Sequence, residues 1–262
     1  MKKSFIKIMA LCLTLVLALG ALSGCGKKED DNVLVMATNA EFPPYEYMEN
    51  GKIVGIDAEI AAAIAEKLGM ELKIENVDFD SLIPGVMSEK YDFVMAGMTV
   101  TDKRLEQVNF SKTYATGIQS IIVKEDSPIK SADDLFKEGA NNKIGVQLAT
   151  TGDLYSTWDI EDAGLGTVER YNKGADAVLA LTADKIDCVI IDNEPAKVFV
   201  KNNPGLKILD TEYITEDYAI AVNKDNEELL KKIDKALEEL IADGTVKKIV
   251  DKYIPAEETA EK

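Results

Sequence analysis

The sequence contains no histidine at all. That excludes Ser-His-Asp and Cys-His nucleophilic centres, histidine zinc sites and imidazole pH switches. Cysteine is nearly absent too, with three in 262 residues. Cys12 and Cys25 lie in and just after an N-terminal apolar stretch. Cys188 stands in the apolar run Cys188-Val189-Ile190-Ile191, where a buried inert thiol is the default. A disulfide framework is therefore excluded. Basic residues are scarce against acidic ones, 30 to 47, for a net charge of −17. Such a balance argues against nucleic acid as a partner and against docking onto anionic lipid head groups. Long apolar runs are missing beyond residues 8–22. Nothing in the chain calls for a metal or a cofactor.

What is there begins with Lys2, Lys3 and Lys7 ahead of that uncharged apolar run. The run is too short for a confident membrane span and fits the core of a signal peptide. Leu22-Ser23-Gly24-Cys25 resembles a bacterial lipobox. This predicts a lipoprotein signal over residues 1–24, removed to leave a lipidated Cys25 held at the extracytoplasmic face of the cell membrane. An ordinary secretory signal with an incidental Cys25 is the alternative. Residues 25–32 are short, polar and charged, as a tether is. Loss of three lysines from a chain of net charge −17 leaves −20. The remaining length suffices for one large domain or two moderate ones.

Along the body, short apolar runs alternate with helical patterns. Residues 33–38, 71–77 and 93–96 read as strands. Residues 57–68 read as a helix, with Ile60, Ile64 and Leu68 on one face and Gly69 as its cap. Asn50-Gly51 marks a hairpin. Another apolar strand falls at 118–124. Ser131-Ala132-Asp133-Asp134 reads as a capping-box helix start. The rhythm then restarts, with strands at 143–147, 167–171 and 188–191 and helices between them. A late strand at 218–222 precedes two amphipathic helices, 227–242 and 245–253. Such alternation predicts an α/β fold with mostly parallel sheets covered by helices.

The most informative stretch is Ala96-Gly97-Met98-Thr99-Val100-Thr101-Asp102-Lys103-Arg104. Gly97 frees the backbone for a tight turn after a buried strand. Thr101 reads as a helix N-cap. Arg104 on the first turn offers a planar fork that holds a carboxylate through two parallel bonds. Val146-Gln147-Leu148-Ala149-Thr150-Thr151-Gly152 repeats this logic of strand, turn and hydroxyls. Asp192 ends the apolar strand at 188–191, where ligands bind in open α/β sheets. Its plain alternative role is to cap the following helix.

Three segments, Gly55-Ile56-Asp57-Ala58-Glu59-Ile60, Ala96-Gly97-Met98-Thr99 and Val108-Asn109-Phe110-Ser111, resemble the family-3 extracellular solute-binding proteins, receptors for polar amino acids in ATP-driven importers. The resemblance spans residues 33–253. It implies a two-domain fold of the periplasmic-binding-protein type II. Residues 33–122 and 222–255 would form domain 1, and residues 123–221 would form domain 2. Strands near 118–124 and 218–222 would be the hinge, and residues 256–262 a tail. The implied partners are a free amino acid and the importer's permease subunits, with the receptor itself a monomer.

By the same resemblance, Gly97, Thr99 and Arg104 grip the ligand's α-carboxylate and α-amino group. Thr150 and Thr151 offer N–H and hydroxyl donors to the carboxylate, and Asp192 takes the ammonium. Phe42 and Phe79 flank the ligand side chain. Asn39 stands where receptors for cationic amino acids often have an acid, which implies a neutral polar ligand. Ala149, Thr113 and Asp184 depart from the family, which usually has glycine, proline and glycine there. Two other functions share this scaffold. One is a dehydratase for prephenate-like or arogenate-like acids, with Glu41 as its general acid. The other is a sensor that signals to a separate protein.

Overall fold

A computed structural model describes residues 32–210 and 213–255. The signal segment 1–24, Cys25, tether residues 26–31 and the tail 256–262 lie outside the described residues.

Among the described residues, nine strands form one sheet, and three more form a small antiparallel one. The large sheet holds β1 (Val33–Thr38), β5 (Glu71–Asn76), β6 (Phe93–Val94), β7 (Val108–Lys124), β8 (Asn142–Gln147), β9 (Gly166–Tyr171), β10 (Cys188–Asp192), β11 (Leu206–Ile208) and β12 (Ile214–Asn223). Its order is β5-β1-β6-β12-β7-β10-β8-β9, with β11 beside β7. The small sheet is β2 (Glu41–Phe42), β3 (Glu46–Glu49) and β4 (Lys52–Val54). Asn50 and Gly51 both take positive φ, 50° and 76°, as a two-residue hairpin turn requires.

The expectation of two separate, mostly parallel sheets is corrected here. Pairing is parallel toward the two ends, β1 with β6 and β10 with β8 and β9 through β8. In the middle it is antiparallel, β6 with β12, β12 with β7, and β7 with β10. The cause is the length of β7, 17 residues rather than the seven expected at 118–124. Its early part pairs with β12 as far as Gln119, opposite Ile214. From Gln119, opposite Asp192, it pairs with β10. One strand thus joins what would otherwise be two sheets.

Helices cover both faces. They are α1 (Ile56–Leu68), α2 (Leu82–Met87), α3 (Asp102–Leu105), α4 (Thr151–Ser156), α5 (Gly174–Thr182), α6 (Asn193–Asn202), α7 (Glu227–Ala242) and α8 (Thr245–Tyr253). Helix α1 ends at Gly69 in the left-handed conformation, as its sequence predicts. Helix α4 is short, because residues 157–161 continue it as a π turn. At Ser131 both bonds of the capping box form, yet the chain makes only one 3-10 turn, Ala132–Asp134.

The core follows the period-2 alternation of buried strands. Ile122, Val189 and Ile191 face one apolar layer together with Ile60, Ile64, Tyr218 and Leu237. Ile121, Val123, Cys188 and Ile190 face the other, with Ile144 and Leu135. Burying each such side chain contributes roughly 1.5–3 kcal/mol. Cys188 is fully buried, as expected, and burial pushes its thiol up.

Candidate functional site

A small cavity opens where the β6–α3 and β8–α4 connections face each other. All nine residues expected at the site line it: Asn39, Phe42, Phe79, Gly97, Thr99, Arg104, Thr150, Thr151 and Asp192. Three further wall residues, Glu46, Ala96 and Gln147, were not foreseen.

The first connection turns at Gly97, φ 51°. A Cβ there would lie 2.9 Å from Phe42 Cε1, so glycine lets the Phe42 ring pack against the turn. The Gly97 N–H donates to Asp57 Oδ2 at 2.8 Å. Thr101 caps α3 by accepting the Arg104 N–H at 3.2 Å. The Arg104 side chain then folds back into the cavity, only 5% exposed. Its Nη1 donates to the Thr99 carbonyl at 2.7 Å, and its Nη2 crosses to the Ala149 carbonyl at 3.1 Å. The guanidinium sits 5.5 Å from the centre of the Phe79 ring, within cation–π range. Burial pulls its pKa down to about 10, against the opposing charge of Glu216. Among the described residues, no carboxylate forms an ion pair with Arg104.

The second connection turns at Ala149, φ 64°. Its N–H donates to Asp153 Oδ2 at 2.9 Å. The Thr150 hydroxyl accepts the Asp153 N–H at 3.4 Å and donates to the Gln147 carbonyl at 2.7 Å. The Thr150 N–H also goes to the Gln147 carbonyl, at 3.3 Å. Thr150 is therefore on the wall, with its hydroxyl and N–H engaged in its own turn. Thr151 directs its hydroxyl to Glu216 Oε2 at 3.0 Å.

Asp192 heads helix α6 without using its side chain as a cap. The carboxylate is instead 7% exposed and turned toward the cavity. It accepts from Gln119 Nε2 at 2.7 Å and from the Tyr218 hydroxyl. Burial, then the charge of Glu216, hold its pKa well above the usual range. That arrangement suits a carboxylate awaiting a cation. Asn39 is less free than its position suggests. Its amide donates to the Val77 carbonyl at 2.8 Å and accepts from Gln147 Nε2 at 2.9 Å.

Glu46 is fully buried in the wall, and neither carboxyl oxygen receives a hydrogen bond from a separate donor. Its pKa is raised by burial, then by the neighbouring Asp57 carboxyl. Asp57 is pushed up to about 6 by burial, against the Gly97 N–H and the Tyr114 hydroxyl, which donate to it. Glu46 was missed because an acid in a hairpin reads as solvent-facing. Gln119 and Glu216 had a legible signal. Gln119 interrupts an apolar run, and Glu216 falls in phase with buried Tyr218 along β12.

A buried arginine with no carboxylate partner among the described residues and a buried acid share one small cavity, as in a binding protein for a small molecule. The chain matches the bacterial extracellular solute-binding proteins, family 3, over residues 34–256, and it belongs to that family. It is 35% identical to the arginine-binding extracellular protein ArtP of Bacillus subtilis, over 98% of this chain and 100% of that one. Among solved structures, an ancestral arginine-binding protein bound to arginine is 42% identical, with a TM-score of 0.79, over 86% of this chain and 99% of that one. An ancestral arginine-binding protein bound to glutamine is 41% identical, TM-score 0.79, over 87% and 100%. These relatives are binding proteins, and the chain is a substrate-binding protein rather than an enzyme.

Proposed function

We propose that this protein is the receptor of an ATP-driven importer and takes up a free amino acid whose side chain is cationic. The observation that carries this reading is Arg104, buried on the cavity wall with no carboxylate of the described residues paired to it. Leaving a buried charge unpaired costs several kcal/mol, so the site is built for an arriving anion. An α-carboxylate supplies it. Asp192, in the opposite wall, takes the α-ammonium.

The side-chain preference departs from the neutral polar ligand that Asn39 implies. The Asn39 amide is engaged by Val77 and Gln147. Glu46, by contrast, is a buried carboxyl in the wall without a donor of its own. A guanidinium or ammonium beside it would draw it to its ionised form. The relatives named for arginine support this class. Titration calorimetry with arginine, lysine, histidine and glutamine tests it. Binding of arginine with release of a proton is expected. Binding of glutamine alone would return the reading to a neutral ligand. No binding by any amino acid would remove it.

In this reading residues 33–122 and 222–255 act as one body and 123–221 as the other. They hinge on β7 and β12 and close on the ligand. Arg104 to Ala149, Gln147 to Asn39 and the 2.6 Å ion pair of Lys173 with Glu41 all cross that boundary, and all would break on opening. Lipid on Cys25 would hold the receptor beside its permease. Loss of membrane fractionation in Cys25→Ala is the test of that part.

A further inference from the structure

Glu216 is an acid that neither the cavity wall nor the reading above makes use of. It is 4% exposed, on β12, directly behind the wall. One oxygen, Oε2, collects three donors: Thr99 Oγ1 at 3.1 Å, Gln119 Nε2 at 3.0 Å and Thr151 Oγ1 at 3.0 Å. Thr99 and Thr151 come from the two facing connections, and both line the cavity. Gln119 stands where β7 passes from β12 to β10, and its Nε2 also serves Asp192 at 2.7 Å.

A hydroxyl has one proton and two acceptor lone pairs. When both threonine protons point at Glu216, the hydroxyls show the cavity only lone pairs, at Thr151 just one, because the other accepts from Gln119 Nε2 at 3.4 Å. They then attract an ammonium and repel a carboxylate oxygen. In that orientation the Thr151 hydroxyl would accept from a ligand, where the family resemblance implies that it donates.

We propose that Glu216 is a positioning residue that fixes the Thr99 and Thr151 hydroxyls as acceptors and so makes this part of the cavity select for an α-ammonium. It touches no ligand itself and acts through the two threonines. The proposal rests on the amino-acid reading of the cavity. Gln119 completes the device by joining Glu216 and Asp192 through one amide, so that the acceptors on both walls keep a fixed arrangement.

The test is a double-mutant cycle with L-arginine as probe, read by calorimetry. Glu216→Gln keeps the shape of the side chain but adds donors. It should weaken binding about ten-fold to hundred-fold. Thr151→Val, which removes the acceptor, should weaken it comparably. The double variant should lose little more than either alone, because residues acting as one unit are not additive. A second probe, the 2-hydroxy acid that replaces the α-ammonium of arginine, should bind Glu216→Gln no worse than wild type. Thermal midpoints of all variants are recorded alongside. Should Glu216→Gln fail to fold, Thr99→Val and Thr151→Val measured against the two probes carry the test. Fully additive losses, or equal losses for both probes, would overturn the proposal while leaving the amino-acid reading intact. A wild-type protein that binds no amino acid would overturn both.

Discussion

The turns at Gly97 and Ala149 solve one problem with different materials. Each leaves a buried strand, places one residue in the left-handed region, hands that residue's N–H to an aspartate and follows it with a threonine cap. The first uses glycine and a fully buried aspartate, Asp57, which shares its surroundings with Glu46. The second uses alanine and Asp153, which is paired with Arg170 at 2.8 Å. Only the first carries a cation into the cavity. The second answers with a backbone carbonyl to that cation. The buried cation thus stands on the less strained turn, and the strained one presents a carbonyl to it. A turn that must seat a buried arginine gains from a residue with no Cβ to displace Phe42.

Removing that charge should have the largest effect. Arg104→Ala should lower affinity for the bound amino acid thirty-fold to a few thousand-fold, on the order of 2–5 kcal/mol, as calorimetry would record. Wild-type affinity would take Arg104 out of the site and erase the asymmetry between the turns.

The aspartates should separate next. Asp57 is raised to about 6 from an ordinary 3.8. Its native form therefore keeps a proton that the unfolded chain has already lost. Its contribution to stability is fully present below about pH 4 and falls as pH rises through about 6. The whole shift corresponds to at most about 3 kcal/mol. Chemical denaturation of wild type and Asp57→Asn across that window should show the wild type losing ground as pH rises. A flat difference would refute the unusual state assigned to Asp57.

Exchanging the turn residues sharpens the contrast. Gly97→Ala meets both a positive φ and the Phe42 ring 2.9 Å away. It should cost about 2 kcal/mol, visible in the denaturation midpoint. Smaller and equal effects are expected from the caps. Thr101→Ala and Thr150→Ala should each cost about 1 kcal/mol, although only the first lies beside Arg104. Smallest, and opposite in sign, is Ala149→Gly, which should relieve strain and stabilise by up to about 1 kcal/mol.

Much of this comparison was legible in the chain before its fold was known. Gly97, Thr101 and Arg104 announce a turn, a cap and a fork within eight positions, and local chemistry is what short spacing encodes. Nine of the wall residues were reached with the help of family resemblance, and the structure gathers them in one cavity. Less was legible where burial depends on distant partners. The polar first half of β7, with Asn109, Ser111, Lys112 and Thr113, hides a strand that only pairing with β12 reveals. Glu46 looks like a surface acid until the fold closes over it, whereas the burial of Glu216 shows only in its phase with Tyr218 along β12. Ser131 shows the converse, a complete capping box that starts no helix because just Leu135 and Phe136 follow as apolar support. The strain at Ala149 could be suspected from the missing glycine, but its bonds to Arg104 and Asp153 could not.

The strand order has a consequence for how the molecule comes into being. β6 borders β1 on one side and β12 on the other, and β12 also borders the early part of β7. β12 lies in the last fifth of the chain, at Ile214–Asn223. A polypeptide emerging from the ribosome amino end first therefore carries a gap in its main sheet until synthesis is almost complete. Contacts so remote along the chain form slowly. For most of its synthesis the nascent chain therefore lacks the strand that completes its main sheet.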